Sequence, residues 1–266
     1  MQCVNAGAES AVAVSTSNWT LAALSVLIGV TAFSSVQAQS LPAYRMGDPG
    51  PTGSIVGQVR FEGPPPVGRI LRIITDDGAC EEGFRDPNPM VMRHSGELSG
   101  VVVEVSSVST GIPWSAEFDV TRAFTRNCRF EPFMQIARAG VGLQLANLDE
   151  VPFGIDITKT DPNGTESIET GVELLVFGEV FREYDFPAGS AISLASEQFP
   201  WMLSWIYIAN NPYTSVSNID GHYELIDVPA GKHTLSIWHP VLGFYSEQVD
   251  VPAGDTVRKE IILSYR

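Results

Sequence analysis

An all-β fold is what this chain predicts, and three observations predict it. The chain holds 24 glycines and 18 prolines among 266 residues, and both residue types break helix interiors and mark turns. Several short runs alternate apolar and polar residues, the period that puts one strand face in a core and the other in water. After residue 40 no helical period of any length appears.

The first 38 residues are a leader. Leu21 to Phe33 is an uncharged apolar run, and Val36-Gln37-Ala38 sets small residues at the two positions that a signal peptidase reads. The first twenty residues contain Glu9 and no Lys or Arg, whereas a secretory signal begins with positive charge. Two outcomes stay open: a signal peptide cleaved after Ala38, or a retained membrane anchor. In the second case residues 19–38 would cross roughly 30 Å of hydrocarbon. Both place the chain from Arg45 onward on the periplasmic or extracellular face.

Residues 39–52 read as a linker, and strands follow. Ser54 to Phe61 alternates until Gly63-Pro-Pro-Pro66 stops it, and Arg69 to Thr75 is the second strand. Leu98 to Ser106 is the third, with Val101, Val103 and Val105 on one face. Phe133 to Ala139 and Val141 to Ala146 follow, broken at Gly140. Asp149 to Pro187 reads as loops around a single strand at Val172 to Val180, and Ile192 to Leu194 and Trp205 to Ala209 come next. The clearest pattern is C-terminal: His222 to Leu225, His233 to Trp238, Tyr245 to Val251 and Thr256 to Leu263, separated by Val228-Pro-Ala-Gly231 and Val251-Pro-Ala-Gly254. Asp220-Gly221 is expected to turn one hairpin, and Pro229 with Gly231 the next.

Charge excludes one class of function. With 31 Asp and Glu against 16 Lys and Arg, the formal charge is −15. Lysine occurs only at Lys159, Lys232 and Lys259, so the clustered cations that neutralise phosphates are missing and no nucleic-acid partner is expected. Cys3 lies in the leader, which leaves Cys80 and Cys128 as an even pair. In an exported chain a disulfide is the simple reading, with two buried thiols as the alternative. No CxxC motif or His at ligand spacing accompanies them, which argues against zinc. Weaker candidates are His222 with His239, expected on adjacent strands, and the oxygen-bearing loop of Asp161, Asn163, Glu166 and Glu169, which misses the EF-hand spacing. Asp149 and Glu150 are neighbours in sequence only, and His94-Ser95 lacks a nucleophile-elbow context.

The residues from Ser217 to Pro240, SNIDGHYELIDVPAGKHTLSIWHP, resemble the signature of the carboxypeptidase regulatory-like, prealbumin-type β-sandwich. GSIVGQVRFEGPPP at 53–66 resembles the first strand of the same module. The middle resembles exported cupredoxin-like proteins fused to that module, through Cys128-Arg-Phe-Glu-Pro132, Asn147 to Gly154, Ser196-Glu-Gln-Phe-Pro-Trp-Met202 and Asn211-Pro-Tyr213. The resemblance implies a first strand of the prealbumin-like module at 53–68, a degenerate cupredoxin-like domain at 69–204 and the rest of the first module at 205–266.

A blue-copper site uses two imidazoles, a thiolate and a weak axial Met. The resemblance puts Phe153 at the first His, Ser196 at the Cys and Phe199 at the second His, and retains only Met202. It therefore implies no bound copper, no other cofactor and no catalytic residue. The expected function is a non-catalytic structural or interaction protein, a membrane-associated accessory subunit whose partner is a protein complex. A soluble exported carbohydrate- or ligand-binding module, suggested by Trp201, Trp205 and Trp238, is the first alternative, and an electron carrier with an unrecognised site the second.

Overall fold

The computed structural model describes residues 43–64, 66–68, 70–73, 80, 82–182, 186–196 and 198–265. The leader, whether signal or anchor, lies outside them. Among the described residues every regular element is a strand except one 3-10 turn at Ala116–Asp119, and no helix is long and apolar enough to cross a membrane.

Alternation builds a first sandwich. Thr52–Phe61 runs antiparallel to His222–Pro229 on one side and parallel to Thr256–Arg258 and Ile261–Leu263 on the other. The facing sheet has the order Thr214–Val216, Val102–Val105, Gly231–His239, Gly243–Val251. Ile55, Val59 and Phe61 meet Val103, Val105, Leu235 and Ile237 in the core between them.

The second sandwich follows the same logic with other strands. One sheet has the order Glu179–Arg182, Leu143–Asn147, Thr121–Thr125, Phe130–Glu131. The other has Glu166–Leu174, Phe153–Thr160, Ala191–Ser196, Leu203–Ala209, Met134–Arg138. Leu143 and Leu145 from the first sheet pack with Phe153, Ile155, Leu194 and Ile206 from the second. A small hairpin of Leu71–Ile73 and Gly83–Arg85 stands apart, and the Cys80–Cys128 disulfide ties its segment to the second sandwich.

A third apolar cluster joins the two. Val102, Val216, Trp238 and Phe244 from the first sandwich pack with Met134, Ile136, Ala191, Trp205, Tyr207 and Ala209 from the second. Trp238 sits at the centre, its ring centroid 5.8 Å from Tyr207, 6.2 Å from Trp205 and 6.2 Å from Phe244. Strand Val102–Val105 is buried at every position because Val103 and Val105 face their own core while Val102 and Glu104 face this seam. Glu104 is tied there by three donors: the Tyr207 hydroxyl at 2.8 Å, the Asn210 amide at 2.6 Å and the Asn211 amide at 3.3 Å. The Asn211 side chain donates to the Val105 carbonyl at 2.9 Å and accepts from the Tyr213 amide at 3.0 Å, which closes the link back to the first sandwich.

The structure departs from the sequence reading in identifiable places. Asp220-Gly221 and Pro229-Ala-Gly231 join strands of opposite sheets, so both are corners of the sandwich and not hairpins. The first is a tight one: the Asn218 side chain accepts from the amides of Asp220 (2.9 Å) and His222 (3.0 Å), and Gly221, at φ 73°, packs so close to the Val59 carbonyl that a Cβ would collide with it. Asp149 to Pro187 holds Phe153–Thr160, Glu166–Leu174 and Glu179–Arg182 where loops and one strand were expected. Of Leu98 to Ser106 only Val102–Val105 is a strand, and of Arg69 to Thr75 the described part is Leu71–Ile73. Two strands cross the sequence divisions: Val102–Val105, within 69–204, belongs to the first sandwich, and Leu203–Ala209, mostly within 205–266, belongs to the second.

The disulfide closes a loop of 48 residues in sequence separation, and chain entropy then makes it worth at most about 4 kcal/mol. Cys80→Ser with Cys128→Ser should lower urea-denaturation stability by roughly 2–4 kcal/mol, and a non-reduced digest of the wild type should yield the two peptides linked. Free alkylation of both thiols without reduction would show the bond to be absent.

Candidate functional site

The positions at which the resemblance places metal ligands lie at one end of the second sandwich. Phe153 opens its strand opposite Leu174, and alternation turns Phe153, Ile155 and Ile157 inward. Ser196 closes the neighbouring strand opposite Ile155, one inward position along from Phe153. The chain then turns through Phe199 to Met202, whose amide donates to the Phe199 carbonyl at 2.8 Å. Phe153, Phe199 and Trp201 form a chain of edge-to-face contacts, with ring centroids 5.4 Å apart in each pair. Trp201 is fixed at its far side, its indole N–H donating to the Cys128 carbonyl at 2.9 Å. Phe153, Phe199 and Met202 thus come together in one apolar cluster, with Met202 fully enclosed. Ser196 is buried beside them, and its hydroxyl has no hydrogen-bond partner among the described residues.

Asn147 holds this end in shape. Its carbonyl oxygen accepts from the Thr125 hydroxyl at 2.6 Å and the Asp149 amide at 2.9 Å. Its amide nitrogen donates to the carbonyls of Val151 (2.7 Å), Leu175 (3.0 Å) and Leu174 (3.3 Å). One side chain therefore satisfies backbone groups of two loops and a strand end that no sheet ladder reaches. Asp149 extends the network by accepting from the Cys128 amide at 3.3 Å. It shares no work with Glu150, which is exposed.

The chemistry of this end is that of two arenes, an indole, a thioether and a lone hydroxyl. It contains neither the imidazole pair nor the thiolate of a blue-copper centre. Among the described residues no group of three His, Cys, Asp or Glu side chains is placed to hold a metal ion. Beside Trp201 a cleft of about 360 Å³ is lined by Arg85, Arg129, Phe130, Phe133 and Leu203. Trp205 and Trp238 are elsewhere, in the seam between the sandwiches, so the three tryptophans do not form one aromatic surface.

The remaining candidates separate as well. His222 points outward from one sheet of the first sandwich, while His239 is buried on a strand of the other, so they are not on adjacent strands. Burial holds His239 down to about 4; its Nδ1 accepts from the Val241 amide at 3.2 Å and its Nε2 has no partner among the described residues. Asp161 accepts from the amides of Asn163 (2.9 Å) and Thr165 (2.8 Å), and these bonds, with that from Thr165 the largest influence, lower its pKa. That is a turn satisfying itself. Sequence reasoning missed Glu104. Burial pushes its carboxyl up to about 7, against the pull of the Tyr207, Asn210 and Asn211 hydrogen bonds, and the Tyr207 hydroxyl is raised well above its usual range by burial and by the adjacent Glu104. The signal was present: a single Glu inside the apolar run VVVEVS.

No protein-family model and no curated protein matches the chain. Solved structures similar to it over 34% of its length are cupredoxins. A purple cupredoxin from Nitrosopumilus maritimus is 15% identical, with 99% of that chain covered and a TM-score of 0.27. A reduced amicyanin variant is 11% identical, with 81% covered and a TM-score of 0.28. A second reduced amicyanin variant is 12% identical, with 82% covered and a TM-score of 0.28.

If the aromatic chain serves packing, Phe153→His combined with Phe199→His should cost roughly 2–4 kcal/mol of stability, through lost apolar burial and ring nitrogens without partners. Urea denaturation measures it. An unchanged midpoint would show that this end is open to water.

Proposed function

We propose that this chain is a non-catalytic interaction protein of the periplasmic or extracellular face, an accessory subunit that docks onto a protein of a membrane complex. The observation that carries the reading is the edge strand Glu166–Leu174 together with the loop that carries the chain from it, at the aromatic end of the second sandwich, across to the edge strand Glu179–Arg182 of the facing sheet. Residues 160–181 contain Asp161, Glu166, Glu169, Glu173 and Glu179 and no Lys or Arg. The same segment exposes Ile168, Leu175, Val176, Phe177 and Phe181, with Phe177 66% and Phe181 55% accessible. Leu148, also exposed, follows Asn147, whose amide donates to the Gly178 carbonyl in the loop between these two strands. Phe177 has φ 50°, a backbone region that is costly for a bulky side chain and is retained where the surroundings or a function demand it.

Single exposed apolar residues are ordinary, whereas a run of them on one projecting element marks a contact surface. The carboxylates set the partner's chemistry: an apolar face ringed by Lys or Arg, recognised faster at low salt. An oxidising compartment is consistent with the Cys80–Cys128 disulfide. The aromatic packing around Met202 supports a scaffold in place of a redox centre.

Leu175→Ser with Phe177→Ser and Phe181→Ser should abolish co-purification of a stoichiometric membrane-complex subunit that the wild type retains, and 0.5 M salt should weaken the wild-type complex. Binding of the same subunit by the triple variant would overturn the docking surface. Copper loading followed by dialysis and metal analysis should leave well under one equivalent. Retention of about one equivalent would favour an electron carrier. The cleft beside Trp201 supports the ligand-binding alternative, which retention on immobilised glycans, lost with Trp201→Ala, would establish.

A further inference from the structure

Among the described residues, Glu104 is the one charged-type side chain held entirely inside the contact between the sandwiches, at 0% exposure and bonded to Tyr207. Its neighbours can be named from every element packed on it. On its own sheet the residues opposite are Thr214 and Ser236. From the second sandwich come the Tyr207 hydroxyl and, past the end of that strand, the amides of Asn210 and Asn211. The nearest cation on that face by register is Arg138, opposite Ala209, and it pairs with Asp119 at 3.5 Å on the rim. His239 belongs to the strand beside Glu104 but turns to the other face, with Leu235 and Ile237. Glu104 thus has three hydrogen-bond donors and, among the described residues, no cation partner.

We propose that Glu104 and Tyr207 form a proton-gated joint: the two sandwiches are locked while Glu104 is protonated and loosen along the Trp238 seam when it ionises. The geometry serves both states unequally. In the neutral state Glu104 Oε1 still accepts the two amides while Oε2 carries the proton and donates to the Tyr207 oxygen, so the seam holds no charge and the cost is the Tyr207 O–H, which gives up its acceptor. In the ionised state all three donors point at the carboxylate, but a full negative charge sits in an apolar seam without a counter-ion, and opening the seam lets water reach it.

The sign follows from burial. The usual value is 4.5 and the buried value about 7, so the closed seam holds more protons than the opened one across that interval. Closure is favoured at the acid end and is lost as pH rises through about 7. His239, lowered to about 4 by burial, faces the first core with Leu235 and Ile237 and not the seam, so opening the seam leaves it buried and it does not enter the dependence between pH 6 and pH 8.

The test is hydrogen exchange on the full chain, expressed as protection factors corrected for intrinsic rates, at pH 6 and pH 8. The amides of Asn210 and Asn211, which donate across the seam to Glu104, should lose protection about tenfold over this range, while those of Ile55 to Val59 in the first core stay constant. Glu104→Gln should remove the dependence. Tyr207→Phe takes away a donor to the charged form, so the midpoint of the loss should move to higher pH. Should Glu104→Gln fail to fold, this second variant decides. Protection at Asn210 and Asn211 that is equal at both pH values, an undiminished loss in Glu104→Gln, or a midpoint unmoved by Tyr207→Phe would each overturn the joint. None of these outcomes bears on the docking surface, which is tested through its partner.

Discussion

A carboxylate enclosed where two β-sandwiches meet is the constraint on which the arrangement turns. Glu104 is one of four buried residues in the strand Val102–Val105, and a strand buried on both faces needs a second layer on each side. The first sandwich supplies one layer. The other is the five-stranded sheet of the second sandwich, brought into place by Trp238, Trp205 and Tyr207. Apolar contact alone would tolerate sliding, since dispersion has little direction. Tyr207 and the amides of Asn210 and Asn211 must meet two fixed oxygens, and that sets a register between the layers. The cost is a group whose charged form the seam disfavours.

The far end of the second sandwich shows the opposite solution to a polar problem. There Asn147 answers five backbone and side-chain groups from one position, so the loops around Phe153 are held without burying a charge. With the frame satisfied, Phe153, Phe199 and Met202 are free to pack as apolar bodies. Each fully enclosed ring of that size is worth about 2–3 kcal/mol, comparable to the disulfide that anchors Cys128 beneath Trp201. This end is therefore stiff by two independent means, while the loop from Leu175 to Phe177 beside it is exposed and the strand that leads to it is acidic.

How legible this was depends on which neighbour each residue answers to. The runs Ser54 to Phe61 and His222 to Val251 were legible because each strand has one wet face, so period two shows directly. Phe153–Thr160 was not, although Phe153, Ile155 and Ile157 do alternate: Gly154, Asp156 and the polar stretch after it resemble a loop locally, and only pairing on both sides makes it a central strand. Turn chemistry at Asp220-Gly221 correctly marked a reversal, yet nothing local says whether the chain returns to the same sheet or crosses to the facing one. The Cys80–Cys128 bond was readable from number and compartment. Glu104 was passed over because a lone Glu in VVVEVS looks like the wet face of an edge strand. What inverts that reading is Tyr207, a hundred residues away.

The same contrast bears on where recognition can occur. Most side chains with strong chemistry in this chain are already committed inside it: Glu104 to the seam, Asn147 and Asp149 to the loops, His239 to a core, Trp201 to the Cys128 carbonyl. A side chain whose partners are internal cannot reorganise around a substrate without giving up what it holds. The side chains of Leu175, Val176 and Phe177 are exposed and lie between carboxylates that repel a second copy of the same surface. A partner must then bring both the apolar face and the positive charge. On the docking proposed above, the seam would set how the first sandwich is presented behind the contact, so a change in Glu104 protonation would act on the complex without touching the surface that forms it.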